Sequence, residues 1–344
     1  MISGEQCGRA MDRPVFVGGC MRSGTTLLMQ LLDCARNIAM PPYESYFMAN
    51  FYGCQARCPS TKLVPPEACL PHLARLARGN FGEFCESDWV KAEIRSARTY
   101  AAAFDIVCRE MARQVGKGRW GDKTPGNEYF AADILEYFPS SRFIYVQRDP
   151  RDVVSSKRDR SAMAGRGWRS RLAEVWRSAW LWRSSDQAHA WNLKNLDPTR
   201  HRGVRFEHLV EDPSAVLGEL SDFLEEDLGG IVEGTGDRAV FRQLGQGTHS
   251  PRGGSSNTSY QMAAPPPGAI DRAPVGRHRT RLSALERFAV AALCSPTAKV
   301  FARPHPPTSH KRFGPREKRL AYRHTRKAKF WFGQGRRRLT APTS

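Results

Sequence analysis

The sequence predicts an α/β fold, a central parallel sheet flanked by helices in three layers. Two observations lead there. Short apolar runs of β-favouring residues alternate with longer stretches of helical periodicity, and the first run ends in a glycine loop that opens directly into a helix. Val15-Phe16-Val17 before Gly18-Gly19 suits a buried strand entering a tight turn, and Thr25-Thr26 then starts a helix with Leu27, Leu28, Leu31 and Leu32 on one face. Residues 40–87, rich in Pro, Gly, Cys and aromatics, read as irregular structure with short helices. A longer helix is expected over about 89–114, closed by Gly116 and Gly118, then a loop over 119–127 and a helix over 128–137 stopped by Pro139. Residues 143–146 form the second core strand, followed by a helix from Arg151. Residues 168–191 predict a long helix whose stripe of Trp168, Leu172, Val175, Trp176, Ala179 and Trp182 reads as core. Val204-Arg205-Phe206 is a third strand, and Val216, Leu217, Leu220, Phe223 and Leu224 mark the helix after Pro213. A Gly/Ser/Pro-rich loop over 245–274 precedes a last helix over about 283–293.

The 344 residues carry 53 Lys and Arg against 34 Asp and Glu, a formal net charge of +19, and 40% of them are hydrophobic. That apolar share can fill a core and excludes wholesale disorder. The longest apolar run, near Phe288, falls far short of the roughly 18–20 residues of a membrane helix. Residues 1–13 are polar and lack the apolar core of a secretory signal, so a cytoplasmic protein is expected. Nine cysteines, an odd number, fit a reducing compartment. Cys54, Cys58, Cys69 and Cys85 lie close in sequence, but their spacings lack the paired Cys-x-x-Cys knuckles of structural zinc sites, so they read as free or core thiols. Residues 301–344 hold thirteen Lys and Arg and a single acid, Glu317. The expected organisation is an N-terminal arm over 1–13, one α/β domain over 14–300, and a solvated basic tail over 301–344 that meets polyanions or a membrane surface non-specifically.

The chemistry points to residues 19–26, Gly-Cys-Met-Arg-Ser-Gly-Thr-Thr, which have the G-x-x-x-x-G spacing of a phosphate-binding P-loop between a strand and a helix. Small residues let backbone N–H groups turn inward, and the helix N-terminus adds a partial positive charge. A magnesium-triphosphate loop would continue with Lys; here Thr25 stands in that place and the cation, Arg22, sits inside the loop. The loop is therefore expected to bind an anion without a metal.

In Met21-Arg22-Ser23-Gly24-Thr25-Thr26 the sequence resembles the sulfotransferases that use 3′-phosphoadenosine 5′-phosphosulfate (PAPS) and release 3′,5′-adenosine bisphosphate (PAP). A second signature of that family, an arginine after a core strand and a serine eight positions on, matches Arg148 and Ser156. The resemblance implies that Arg22, Ser23, Gly24, Thr25 and Thr26 hold the phosphosulfate and that Arg148 and Ser156 grip the 3′-phosphate. Residues 205–213 resemble the segment beside the adenine, with Phe206 where relatives carry Tyr, and residues 276–283 resemble a late block in which Arg277 helps close over the 3′-phosphate. Leu27 stands where many relatives carry Trp.

Cytosolic members of the family use a histidine base, yet no histidine lies between His72 and His189. The Golgi-type branch, which includes the tyrosylprotein sulfotransferases, uses a glutamate shortly after the loop, and Glu44 falls in that window. Its other reading is a helix-start glutamate. Lys123 resembles the same branch's Lys-x-Pro lysine, which steadies the sulfuryl group in transit. The catalytic set implied is Arg22, Glu44 and Lys123, transferring sulfuryl to a hydroxyl of a carbohydrate, lipid, phenol or peptide tyrosine. Two other readings stand beside it: a P-loop kinase or nucleotide-binding enzyme, and a polyanion binder acting through the basic tail.

Overall fold

The structure is a computed structural model describing residues 13–41, 43–50, 66–159, 168–231 and 274–295. Five strands form one parallel sheet: β1 (Val15–Gly18), β2 (Ile38–Ala39), β3 (Arg119–Lys123), β4 (Arg142–Gln147) and β5 (His201–Arg205), in the order β2-β3-β1-β4-β5. Helix α1 (Thr25–Asp33) follows β1. Between β2 and β3 lie α2 (Pro66–Ala74), α3 (Gly82–Cys85), α4 (Asp88–Glu93) and α5 (Tyr100–Gln114). Helix α6 (Ala131–Tyr137) leads into β4, and α7 (Pro150–Asp159) and α8 (Trp168–Asn195) lead from β4 to β5. Helices α9 (Phe206–Glu211), α10 (Pro213–Leu224), α11 (His278–Arg281) and α12 (Ala284–Cys294) follow.

The period-2 alternation of the strands sets the layers. Val15 and Val17 of β1, with Ile144 and Val146 of β4, pack against Leu28 and Leu32 of α1 and Leu217, Leu220 and Leu224 of α10. Phe16, Phe143 and Tyr145 point the other way, into a cluster with Phe104, Trp120, Ile134 and Phe138. Its rings meet edge-on, Phe104 against Trp120 at 5.5 Å and Trp120 against Phe138 at 5.6 Å. A third cluster joins α7, α8 and α12 through Val153, Val154, Val175, Ala179, Trp182 and Leu293. Among the described residues no helix is long and apolar enough to cross a membrane.

Four expectations are corrected. The loop expected over 119–127 is in large part β3, a central strand with every residue buried. Its Arg-Trp-Gly-Asp-Lys sequence hides it, because its polar groups find partners only in the tertiary structure. Arg119 Nη1 donates to the Leu224 carbonyl at 2.9 Å and to Glu226 at 3.1 Å, and Asp122 accepts from the Asn127 amide at 2.9 Å. The helix expected over 89–114 is two, because the Thr99 hydroxyl accepts the Ala102 N–H at 3.1 Å and caps a fresh start at Tyr100. The stripe on α8 divides: Val175, Ala179 and Trp182 are buried, whereas Trp168 and Trp176 are 67% and 47% exposed, since position 176 is turned away from the buried face and Trp168 is the first residue of the helix. Phe206 opens α9 instead of ending a strand. Cys69 and Cys85 are buried in the core; Cys54, Cys58, the 1–12 arm, the 245–273 loop and the 301–344 tail lie outside the described residues.

Candidate active site

The strand order reverses between β1 and β4: the chain moves from β1 to β2 and β3 on one side, then to β4 and β5 on the other. Crevices at such reversals, at the carboxyl ends of the strands, are where open parallel sheets take ligands. Both sequence signatures end there. The loop after β1 turns through Gly19 at φ 146, where a Cβ would lie 2.6 Å from the Val146 carbonyl oxygen, and Ser23 N–H closes it onto Cys20 O at 3.0 Å. Arg22 adopts φ 77, a backbone state rare for a side-chain-bearing residue outside functional turns. Gly24, at φ 93, is the N-cap of α1 and offers no side chain; its carbonyl takes the Leu27 and Leu28 N–H groups at 3.0 and 3.2 Å, which leaves those of Thr25 and Thr26 to a ligand or solvent. Thr25 is buried and Thr26 half-buried at its start.

Arg148, just beyond β4, meets this loop. Its Nη1 donates to the Arg22 carbonyl at 3.0 Å and its Nη2 to the Pro274 carbonyl at 2.5 Å, while the guanidinium lies 4.4 Å above the Phe206 ring. Phe206 also lies against Gly24, where a Cβ would approach its ring to 2.1 Å. From the other side, Arg22 Nε donates to the Ser156 hydroxyl on α7 at 3.1 Å. Arg22, Gly24, Arg148, Ser156 and Phe206 thus form one connected patch. Burial pushes Arg148 below the usual guanidinium range, with the charges of Asp152 and Glu207 acting against that shift. Ser23 Oγ and Arg148 Nε are buried without a hydrogen-bond partner. Orphaned donors of that kind, beside two arginines, fit a multiply charged phosphate ligand.

Arg277 reaches the patch through Asp152, a residue that sequence reasoning missed. Asp152 on α7 accepts the backbone N–H groups of Gly276 and His278, each at 2.8 Å, and lies 2.9 Å from His278 Nδ1. This fixes the turn before α11 and brings Arg277 within electrostatic reach of Arg148. No local pattern reveals Asp152, because its partners lie more than 120 residues away.

The remaining pair lies on the β3 side of β1. Lys123 ends β3 beside Val17, buried, and its ammonium donates to Glu44 Oε1 at 2.9 Å. The Tyr46 hydroxyl donates to the other oxygen, Glu44 Oε2. Tyr46 itself sits at φ 53, with its N–H on Thr124 Oγ1 at 3.3 Å, and Thr124 N–H bonds Val17 O. Glu44 is therefore a carboxylate held between a lysine and a tyrosine. Tyr46 was not foreseen either; a tyrosine two residues from the glutamate carries no signal until the backbone turns at a positive φ.

A model of the sulfotransferase family matches residues 14–229, more than half of the chain. The chain belongs to the sulfotransferase family. Its α/β fold is shared with the sulfotransferase domain of the olefin synthase from Synechococcus PCC 7002, which is 21% identical, with 86% of this chain and 96% of that domain covered at a TM-score of 0.51. The sulfotransferase domain from the curacin biosynthetic pathway is 20% identical, covering 81% of this chain and 95% of that domain, with a TM-score of 0.48. An uncharacterised protein of Aquifex aeolicus strain VF5 is 25% identical over 221 residues, 63% of this sulfotransferase chain. The matched segment spans about a quarter of that relative, 26% of its length.

Proposed function

We propose that the protein transfers a sulfuryl group from PAPS to a hydroxyl acceptor, by in-line, metal-independent displacement with Glu44 as the base. The observation that carries this reading is the contact of the two anion cradles, Arg148 Nη1 on the Arg22 carbonyl at 3.0 Å. A nucleoside triphosphate has one phosphate chain, whereas a 3′-phosphorylated nucleotide offers an anion at each end of its ribose and suits two adjoining cradles. In this reading Arg148, Ser156 and Arg277 hold the 3′-phosphate, Phe206 stacks near the adenine, and Arg22, Ser23, Gly24, Thr25, Thr26 and the α1 N-terminus hold the 5′-phosphosulfate.

The donor supplies an activated sulfuryl group and a phosphate leaving group. The protein's part is positioning and charge stabilisation, as in phosphoryl transfer. Glu44 accepts the proton of the acceptor hydroxyl as its oxygen forms a bond to sulfur; the bond from sulfur to the phosphate oxygen breaks, and PAP leaves. Arg22 and the helix N-terminus offset the charge that grows on the bridging oxygen, and Lys123, released from Glu44 as that carboxylate is protonated, faces the sulfuryl oxygens. Carbohydrate, lipid, phenol and peptide tyrosine hydroxyls all fit this chemistry.

Thermal-shift titration tests the donor. Saturating PAP without magnesium should raise the melting temperature by several degrees, since a ligand at about a hundred times its dissociation constant stabilises by about 2.7 kcal/mol. Stabilisation by Mg-ATP alone would replace this reading with the kinase one. Incubation of acceptor panels with sulfur-labelled PAPS then identifies the hydroxyl that receives the label.

A further inference from the structure

We infer that Glu128 is a positioning residue whose single carboxylate ties the anion loop after β1 to the Lys123 loop after β3, and so fixes the donor cradle relative to the catalytic pair. Glu128 lies in the 3-10 turn Asn127–Phe130 and is 1% exposed. Its Oε2 accepts two backbone N–H groups, that of Gly19 at 3.0 Å and that of Gly126 at 2.9 Å. Gly19 begins the segment that carries Arg22; Gly126 ends the run of residues 123–126 that begins with Lys123. With both donors on one oxygen, the loops cannot part without breaking a bond.

The second oxygen is also held. Oε1 accepts the Ser185 hydroxyl from α8, and Ser185 is 3.1 Å from the Tyr145 hydroxyl on β4. The Glu128 carbonyl takes the Asn192 amide at 2.9 Å. Glu128 lines a small cavity with Cys20, Met21, Tyr129, Leu181 and Ser185, which places it on the inner side of the loop. Gly18 makes the approach possible: a Cβ there would lie 3.0 Å from the Glu128 nitrogen and 3.2 Å from Oε2. Three donors converging on a group with two acceptor oxygens suit a carboxylate. Burial raises the Glu128 pKa against the opposing pull of these hydrogen bonds. A carboxyl group kept this deeply buried is explained by what it holds together.

The test uses the full chain, with PAP as the probe. Residue-resolved hydrogen exchange in the ligand-free Glu128→Ala variant should show the Gly19 and Gly126 amides exchanging at least tenfold faster together, with β4 and β5 amides unchanged. PAP affinity should fall about tenfold. Glu128→Gln, whose amide oxygen can still accept both N–H groups, should stay within threefold of the wild type on both measures. Ser185→Ala, which removes only the Oε1 partner and serves if the alanine variant does not fold, should accelerate both amides together by a smaller factor. Unchanged exchange at the two glycines in a folded Glu128→Ala or Ser185→Ala protein would overturn the assignment, as would acceleration of one glycine alone. The effect on affinity rests on the loop being the donor cradle, whereas the exchange measurement does not. A wild-type protein that fails to bind PAP would refute the proposed donor and leave the exchange result to decide the role of Glu128.

Discussion

Glu44 has the Lys123 ammonium on one oxygen and the Tyr46 hydroxyl on the other, an arrangement that fixes the direction of the carboxylate. Replacing it with an isosteric amide removes the proposed proton acceptor and keeps the shape. Glu44→Gln is expected to lower turnover by about 10²–10⁴-fold, the usual contribution of a general base. PAP binding measured by calorimetry should change little, and full turnover in that variant would remove Glu44 from the mechanism. Arg148 acts at the other end, where it contacts Arg22, Pro274 and Phe206. Arg148→Ala should raise the PAP dissociation constant about 10–100-fold, as expected for loss of charge-assisted bonds of about 1.5–3 kcal/mol; an unchanged constant would break the 3′-phosphate assignment. Gly24→Ala puts a Cβ into the Phe206 ring at a φ of 93. The backbone alone costs about 1–2 kcal/mol there, so both melting temperature and PAP affinity should drop.

At the scale of elements, caps and docking contacts decide where helices start and what they carry. Thr99 starts α5, and Thr99→Ala should cost about 1 kcal/mol in urea unfolding while PAP affinity stays unchanged, because α5 packs behind the sheet through Phe104 and Val107. Asp152 works in the opposite sense. It adds little to the hydrophobic core, but it holds the turn that delivers Arg277. Asp152→Ala should weaken PAP several-fold with a smaller effect on melting than Phe104→Ala, a core truncation expected to cost about 3–5 kcal/mol. The pair separates an element that positions the site from one that fills the fold.

For the whole molecule, acid stability follows from two buried imidazoles between α8 and the sheet. His189 stacks on Tyr145 at 4.0 Å and His201 on Phe143 at 5.5 Å. Burial pulls His189 from its ordinary 6.5 down to about 3, and His201 down to about 4. Above pH 6.5 both the folded and unfolded chains leave these rings neutral, so they make stability independent of pH there. As pH falls below 6.5 the unfolded chain binds protons that the folded protein refuses, and stability is lost progressively toward pH 4. Each ring should remove about 1–2 kcal/mol between pH 6.5 and 5, at 1.36 kcal/mol per pH unit. Melting curves across that range should therefore slope downward toward acid, and His201→Phe should flatten the slope; an equal slope in that variant would remove His201 from the acid response.

Strong local signals made part of this protein legible. The apolar triplet of β1, the glycine loop, the leucine face of α1 and the apolar run of β4 each combine propensity with pattern, and together they named the α/β class, while the residues of the second proposed anion cradle came from resemblance to the family. β3 was hidden because its polar residues become acceptable in a central strand only when Leu224, Glu226 and Glu44 arrive from other parts of the chain. The sequence alone determined which side chains can bind anions, since charge and backbone freedom travel with residue type. Only the tertiary structure decided that Arg22 and Arg148 share one patch, that Glu44 faces Lys123, and that Asp152 and Glu128 hold these parts in place. Those relations are hydrogen bonds between atoms far apart in the chain, and strand order, which no local pattern encodes, is what brings them within reach.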